Sequence, residues 1–430
     1  MSRRLATLSS AITAAVALVV AGCGSGGDLA AQQPTNRLEV MSWWTSASEK
    51  PALESLLESY KAAHSGVTVV DGAVAGGGGS NVSVVLASRL QAGDPPDVWQ
   101  TFVGSSTQAY ARKGRIADVS SVYASTNLAG VLPKGVLDAV TVDGKQYSVP
   151  TGSHRSNVLF FSKTALAKAG VTPPAAGYTM PAFLADLAKV GQSGGTGLCL
   201  GGKDAFASAE LFENMLLSTV GADGWSRIGS DRFDWSGDQA RSALAGFGSA
   251  LTYADPASDG LTWDQATKKL AGSQCAFESF NDSAYGELVA DGATEQTIGA
   301  VPFPGTDGAY LAVIDAFVVA RDAADGRNGL DYLQVVASPE ATLKFNAIKG
   351  SVPVRTDVPL TSLSAYQQSA AQALRDKTFL LSIVHGEAMS PAFQQGFYDA
   401  IATYRGSRDP AVFAKTLSDA VRANQGLNAP

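Results

Sequence analysis

The chain has 430 residues, enough for two or three domains and a large core, and its 45% hydrophobic and 17% charged residues are those of an ordinary globular protein. A formal net charge of −7 without a basic patch argues against nucleic acid or an anionic membrane surface as partner. Three His and three Cys without ligand spacing give no zinc site.

Arg3-Arg4, the apolar stretch Leu5 to Val20 and the closing Val20-Ala21-Gly22-Cys23 predict a secretory signal peptide over residues 1–22, too short and diluted for a membrane span. The closing tetrad resembles the lipobox of bacterial lipoproteins, which implies lipidation of Cys23. Residues 23–36, rich in Gly, Ala and Gln, are expected to be a flexible tether. The expected location is therefore extracytoplasmic and lipid-anchored, with the anchor as the membrane contact. No other stretch is long and apolar enough to cross a bilayer. Cys199 and Cys275 then lie in an oxidising compartment where a disulfide between them is open, although spacing does not decide its geometry.

Leu38 to Ser42 predicts a strand, Pro51 to Ala63 a helix and Val67 to Val70 a second strand, a β-α-β unit that favours a parallel pair. Trp43 and Trp44 stand at the end of the first strand, with Glu49 a few residues on. Flat aromatics beside a carboxylate offer a stacking face and hydrogen-bond acceptors, as a neutral polyol requires. Alternation along a strand predicts that one indole packs inward while the other meets ligand. The glycine run 76–79 precedes a helix at Val82 to Gln91, but it lacks the Gly-Lys-Ser/Thr ending of a phosphate loop. Asp97 to Phe102 predicts a third strand, so Gln100 and Phe102 should share the strand-end rim with the tryptophans. An Asp143-Gly144 hairpin follows, then strands at Asn157–Phe161, Gln274–Glu278, Thr297–Pro302 and Tyr310–Ala320. Helices are expected at Lys163–Ala169, Met180–Gly191, Ala207–Val220 and from Trp263. The last third is mostly helical. Alternating strands and helices predict two α/β lobes with a cleft between them.

In order along the chain stand Trp-Trp-Thr-Ser, the Asp71 to Gly79 stretch, Gly-Asp-Pro-Pro-Asp-Val from 93 and Tyr-Ser-Val-Pro from 147. Phe-Pro-Gly-Thr-Asp-Gly from 303, Lys-Gly-Ser-Val-Pro-Val-Arg from 349 and His385-Gly386-Glu387-Ala388 complete the set. Together these resemble family 1 of the extracellular solute-binding proteins, the carbohydrate-binding proteins of ABC importers, most nearly the glucose/mannose branch. The resemblance covers nearly the whole mature chain. It implies a periplasmic-binding-protein-like fold that closes on a sugar and delivers it to ABC permease subunits, as a monomer without cofactor, metal or catalytic residues. The first lobe would span 37–152 and 312–355 and the second 156–308 and 358–430, with hinges near 150–156, 307–313 and 354–360. By motif match the resemblance places Trp43, Trp44, Glu49, Gln100, Trp263, Asp315, Lys349 and His385 at the sugar. Phe102 stands where the branch has a basic or imidazole group, and Asn281-Asp282-Ser283 where it has Gly-Asp-Trp, so Phe102 and Asn281 join the predicted site as departures. His154-Arg155, beside the first crossing, is read either as an anchor or as a ligand contact.

An oligosaccharide or polyol is the alternative ligand; Lys349 in the ring disfavours a polyamine. A secreted glycosidase using Glu49, Asp315 and Glu387 is the remote alternative, with no local catalytic motif behind it.

Overall fold

In the computed structural model, which describes residues 29–229 and 232–427, the opening strand, helix and strand form as the sequence suggests. Strand β1 (Arg37–Met41) leads through the helix Glu49–Ala63 to β2 (Thr68–Asp71), its parallel partner. After the helix Ser80–Ala92, β3 (Val98–Phe102) joins the other edge of β1, also in parallel. The left-handed pair Asp143 and Gly144 closes the hairpin of β4 (Thr141–Val142) and β5 (Lys145–Gln146). Then follow β6 (Val149–Arg155), β7 (Val158–Ser162), β8 (Thr196–Leu198), β9 (Cys275–Ser279), β10 (Ile298–Pro302), β11 (Ala309–Val319) and β12 (Thr378–Leu381).

These strands build two sheets. The first runs β12-β11-β3-β1-β2, with β6 also paired to β11, and the second runs β10-β7-β9-β8. Each sheet has its own core. Leu38, Val40, Trp99, Phe317, Tyr332 and Phe345 fill the first, and Leu159, Phe183, Phe212, Phe247 and Phe277 fill the second. This is the periplasmic-binding-protein-like arrangement of two α/β lobes. A Cys199–Cys275 disulfide, Cα–Cα 5.6 Å, ties the segment after β8 to β9 inside the second lobe.

The chain crosses between the sheets from β6 to β7, again from β10 to β11, and a third time after β12. The third crossing lies beyond the expected 354–360. Helix Ala365–Asp376 buries Ala370, Ala371 and Leu374 in the first core, and β12 pairs in parallel with the start of β11. Ile383 and Val384, just beyond, are buried in the second core, against which Tyr366 and Leu380 also pack. The Pro353 to Pro359 break is a bend within the first lobe.

Residues 29–36 do not behave as tether. Leu29 is buried against the first lobe, Thr35 Oγ1 donates to Asp325 Oδ1 at 2.5 Å, and Asn328 Nδ2 donates to Thr35 Oγ1 at 2.9 Å. The signal peptide and Cys23 lie outside the described residues. Among the described residues no helix is long and apolar enough to cross a membrane.

Candidate ligand-binding site

A narrow cavity lies between the lobes, with about 30 Å³ of free volume, room for a water molecule or two and less than a small-ligand pocket offers. Its walls come from both sides. Trp43, Trp44, Glu49, Gly78, Phe102, Asp315 and Lys349 belong to the first lobe, and Phe206, Trp263, Phe280, Asn281, Ser283 and His385 to the second. His154 on β6 and Val313 on β11 complete it.

The tryptophans sit past the end of β1, in backbone without strand pairing. Alternation therefore does not govern them, and both line the cavity. Gln100 holds the segment in place: its Oε1 accepts from Ser42 Oγ at 2.8 Å and from Trp43 N at 3.2 Å. Its Nε2 donates to Asp315 Oδ1 at 2.8 Å. With its amide spent on these groups, Gln100 supports the wall and is absent from the lining. Trp44 packs against Phe317 and Phe345 at 5.6 and 5.0 Å, and its Nε1 has no partner among the described residues. A buried donor left unmade costs roughly 1–3 kcal/mol, so this one favours a ligand acceptor.

The polar side is a chain of charged groups. Lys349 ends the helix Pro339–Lys349, which Gly350 terminates in the left-handed conformation. The ammonium, 1% exposed, pairs with Glu49 Oε1 at 3.1 Å, donates to Ser283 Oγ at 3.2 Å and lies 5.8 Å from the centre of the Trp44 ring. Burial pushes the Glu49 carboxyl up, and Lys349 opposes that. Next along, His154 bridges Asp282 through Nδ1 at 2.6 Å and Asp315 through Nε2 at 3.3 Å. Burial works against a charged imidazole there, yet the two carboxylates hold the His154 pKa above its ordinary value. Asp315 is buried too, which alone would raise it, but His154, Lys349 and Gln100 keep it below the usual carboxylate range.

His385 and Asn281 line the cavity with their hydrogen-bonding capacity largely committed elsewhere. His385 Nε2 meets Glu210 Oε1 at 3.2 Å and its Nδ1 meets Ser382 Oγ at 3.2 Å. Burial drives its pKa down to about 3, so the ring is neutral. Asn281 gives its amide to Glu210 at 2.5 Å and accepts from Ser283 N at 2.9 Å. The rings on this side touch in sequence: Trp43–Phe102 at 5.0 Å, Phe102–His385 at 5.0 Å, His385–Phe206 at 6.1 Å, Phe206–Phe280 at 5.7 Å and Phe280–Trp263 at 5.3 Å. Aromatic and charged groups thus line one cavity, and Phe102 and Asp315 are direct neighbours across β3 and β11. Phe206 and Phe280 escaped sequence reasoning because each reads as an ordinary helix or strand aromatic. Ser283 stands two residues from the predicted Asn281, and the sequence reads His154 as either an anchor or a ligand contact.

The glycine run 76–79 has a packing purpose. A Cβ on Gly77 would come within 2.6 Å of the Phe206 ring and 2.9 Å of the Trp263 ring. Only glycine lets this first-lobe loop close onto the second lobe's aromatics.

The buried acids behind the site predict a pH dependence. Burial pushes Glu278 up to about 8 and Glu213 up to about 7, against an ordinary 4.5. The folded chain keeps protons that the unfolded chain releases above that ordinary value, so stability falls as pH rises from about 5 to about 8, by up to about 1.4 kcal/mol per pH unit for each group. His154 adds the same sign: its contribution is full below its ordinary 6.5 and lost as pH rises through its raised folded value. Thermal unfolding should show a higher Tm at about pH 5.5 than at about pH 8.5. An equal or higher Tm at the alkaline end would contradict this.

The family model of the bacterial extracellular solute-binding proteins matches residues 55–373. The chain is 28% identical to an uncharacterized ABC transporter extracellular-binding protein of Pyrococcus horikoshii, covering 95% of this chain and 93% of that one. It is 29% identical to a probable sugar-binding periplasmic protein of Rhizobium meliloti, covering 86% and 90%. Among solved structures, the bacterial solute receptor AcbH, described with an exclusive preference for β-D-galactopyranose, superposes with a TM-score of 0.80 at 17% identity, covering 92% of this chain and all of that one.

Proposed function

Because the chain belongs to the bacterial extracellular solute-binding proteins, a family of binding proteins and not of enzymes, we propose that it captures a neutral monosaccharide between its lobes outside the cytoplasm and delivers it to an ABC permease. The observation that carries the reading is the lining of the cleft between the lobes, where aromatic rings from both lobes meet the hydroxyl partners Glu49, Asp315, Lys349 and Ser283, and widening of that cleft would admit one sugar ring. Aromatic faces cover sugar C–H surfaces. Glu49 and Asp315 accept from hydroxyls, and Lys349, Ser283 and Trp44 Nε1 donate. The relatives' sugar-binding descriptions point the same way. A glucose-like hexose is the first candidate.

Glu387, one carboxylate of the glycosidase alternative, is spent on Ile314 N at 2.6 Å and lies outside the lining. An oligosaccharide would have to extend past the Trp43–Phe102 pair into the groove beyond, which shares those two rings with the cavity and runs along the helix Ser80–Ala92. In the closed form that pair is shut.

Delivery requires opening, and the lobes are held together by contacts outside the cavity. Ser46 and Ser48 of the first lobe both bond Glu287 of the second. Closure is then a population shift driven by a ligand that touches both lobes. The three crossings act as the hinge, and lipid attachment at Cys23 keeps the monomer at the membrane. Titration calorimetry of the purified protein against glucose, mannose, galactose, xylose and maltose tests the reading. Micromolar or tighter binding of a monosaccharide, about −8 kcal/mol or better, is the expected result. Absence of binding across the panel would overturn it.

A further inference from the structure

His154 stands at the end of β6, where the chain crosses to the second lobe, and is buried against the cavity. Each of its ring nitrogens faces a carboxyl group: Nδ1 lies 2.6 Å from Asp282 Oδ1 and Nε2 lies 3.3 Å from Asp315 Oδ2. The donors around those two groups fix where the protons sit. Gln100 Oε1 accepts from Ser42 Oγ and Trp43 N, so its Nε2 donates to Asp315 Oδ1. Asp282 Oδ2 accepts from Arg155 N, and Asp282 is the N-cap of the helix Ser283–Ala290, where the helix dipole favours an anion. Both carboxyls are thus placed as acceptors. A neutral imidazole has one N–H and would turn a lone pair toward one of them, in a site with little water to compensate. With both nitrogens protonated, every contact is satisfied.

The bridge joins ligand-facing groups of both lobes. Asp315 lines the cavity from the first, and Asp282 stands between Asn281 and Ser283, which line it from the second. The other groups facing the imidazole are Lys349, itself paired with Glu49, and His385, which burial keeps neutral. We infer that His154 is a positioning residue that works as a buried cation, and that capture of the sugar is linked to its proton. The inference rests on the sugar-binding reading above. With that proton, Asp282, His154 and Asp315 carry one net negative charge; without it they carry two and the carboxylates repel. A sugar held between the lobes takes water away from Asp315, and the cost of desolvation climbs steeply with net charge. The liganded protein therefore favours the protonated bridge, and by linkage the protonated bridge favours sugar. Affinity falls as pH rises.

Calorimetric titration of the sugar panel across pH tests this. The sugar that binds should bind about tenfold more weakly at about pH 9.5 than at about pH 6.5, the effect of a difference of about one pKa unit between free and liganded protein. His154→Gln, which cannot carry the charge, should bind weakly at both values and lose the slope. The chain has three His, so the imidazole nitrogens can be followed one residue at a time by nitrogen-15 NMR, and His154 should show two protonated nitrogens at neutral pH. A neutral His154 there, an affinity unchanged with pH, or a slope that persists in folded His154→Gln overturns this inference and leaves the sugar-binding reading standing. Silence from every sugar in the panel overturns both. Where His154→Gln does not fold, the pH profile and the imidazole spectrum of the unsubstituted protein decide.

Discussion

Replacing Lys349 with alanine is expected to weaken sugar binding at least a hundredfold and to lower the Tm of the unliganded protein. Two effects add. The ammonium is among the few donors lining the cavity, and it also neutralises Glu49, which is itself only 8% exposed. Truncating one partner of a buried pair leaves an uncompensated charge and typically costs about 3–5 kcal/mol. Part of that is relieved when Glu49 takes up a proton, as its upward-shifted carboxyl is already inclined to do. Lys349→Met, which keeps the stem packed near Trp44 and removes only the charge, should lose binding to a similar degree with a smaller fall in Tm. Calorimetry on both variants and thermal unfolding with and without sugar provide the readout. Wild-type affinity in either variant would remove Lys349 from the site.

Trp43, Trp44 and Glu49 could be read from the sequence because they follow a strand end that is easy to place, whereas Lys349, Trp263, Asp315 and His385 come from the family resemblance alone. Trp43 and Trp44 follow β1, Glu49 opens the first helix, and Lys349 precedes the glycine that ends its own. Other features depend on partners distant in sequence. Gln100 sits at a strand end like a ligand contact, yet its amide is claimed by Ser42 and by Asp315, 215 residues away. The cavity-lining His385 has its nitrogens taken by Glu210 and Ser382, and no local pattern announces that. The same holds for topology. The β-α-β unit and the Asp143-Gly144 hairpin are local and were legible, whereas β12 has only four residues and a place in the first sheet fixed by β11 alone. A short apolar run in a helical third carries no period by which to recognise it.

Replacing Glu287 with alanine is expected to weaken sugar binding tenfold to a hundredfold although the residue lies outside the cavity lining. A single carboxylate oxygen, Oε1, accepts from Ser46 Oγ at 2.7 Å, from Ser48 N at 2.8 Å and from Ser48 Oγ at 2.6 Å. Ser48 is the N-cap of the helix Glu49–Ala63, but its hydroxyl makes no capping bond within its own helix. The capping anion comes from the other lobe, where the helix dipole favours it. On the proposed hinge opening these contacts would part, returning both partners to water. Their worth is therefore the difference between a desolvated, charge-assisted set of bonds and solvated groups, about 1.5–3 kcal/mol. That free energy enters the ligand affinity through the closed population alone. Stopped-flow binding should accordingly show a faster dissociation rate with a nearly unchanged association rate. The Tm of the unliganded variant should move little, and small-angle scattering should show a more expanded protein at sub-saturating sugar. In a double-mutant cycle, Ser48→Ala should couple strongly to Glu287→Ala. Additive losses, or a fall in affinity matched by an equal loss of apo stability, would make Glu287 a structural residue of the second lobe instead of the clasp between the two.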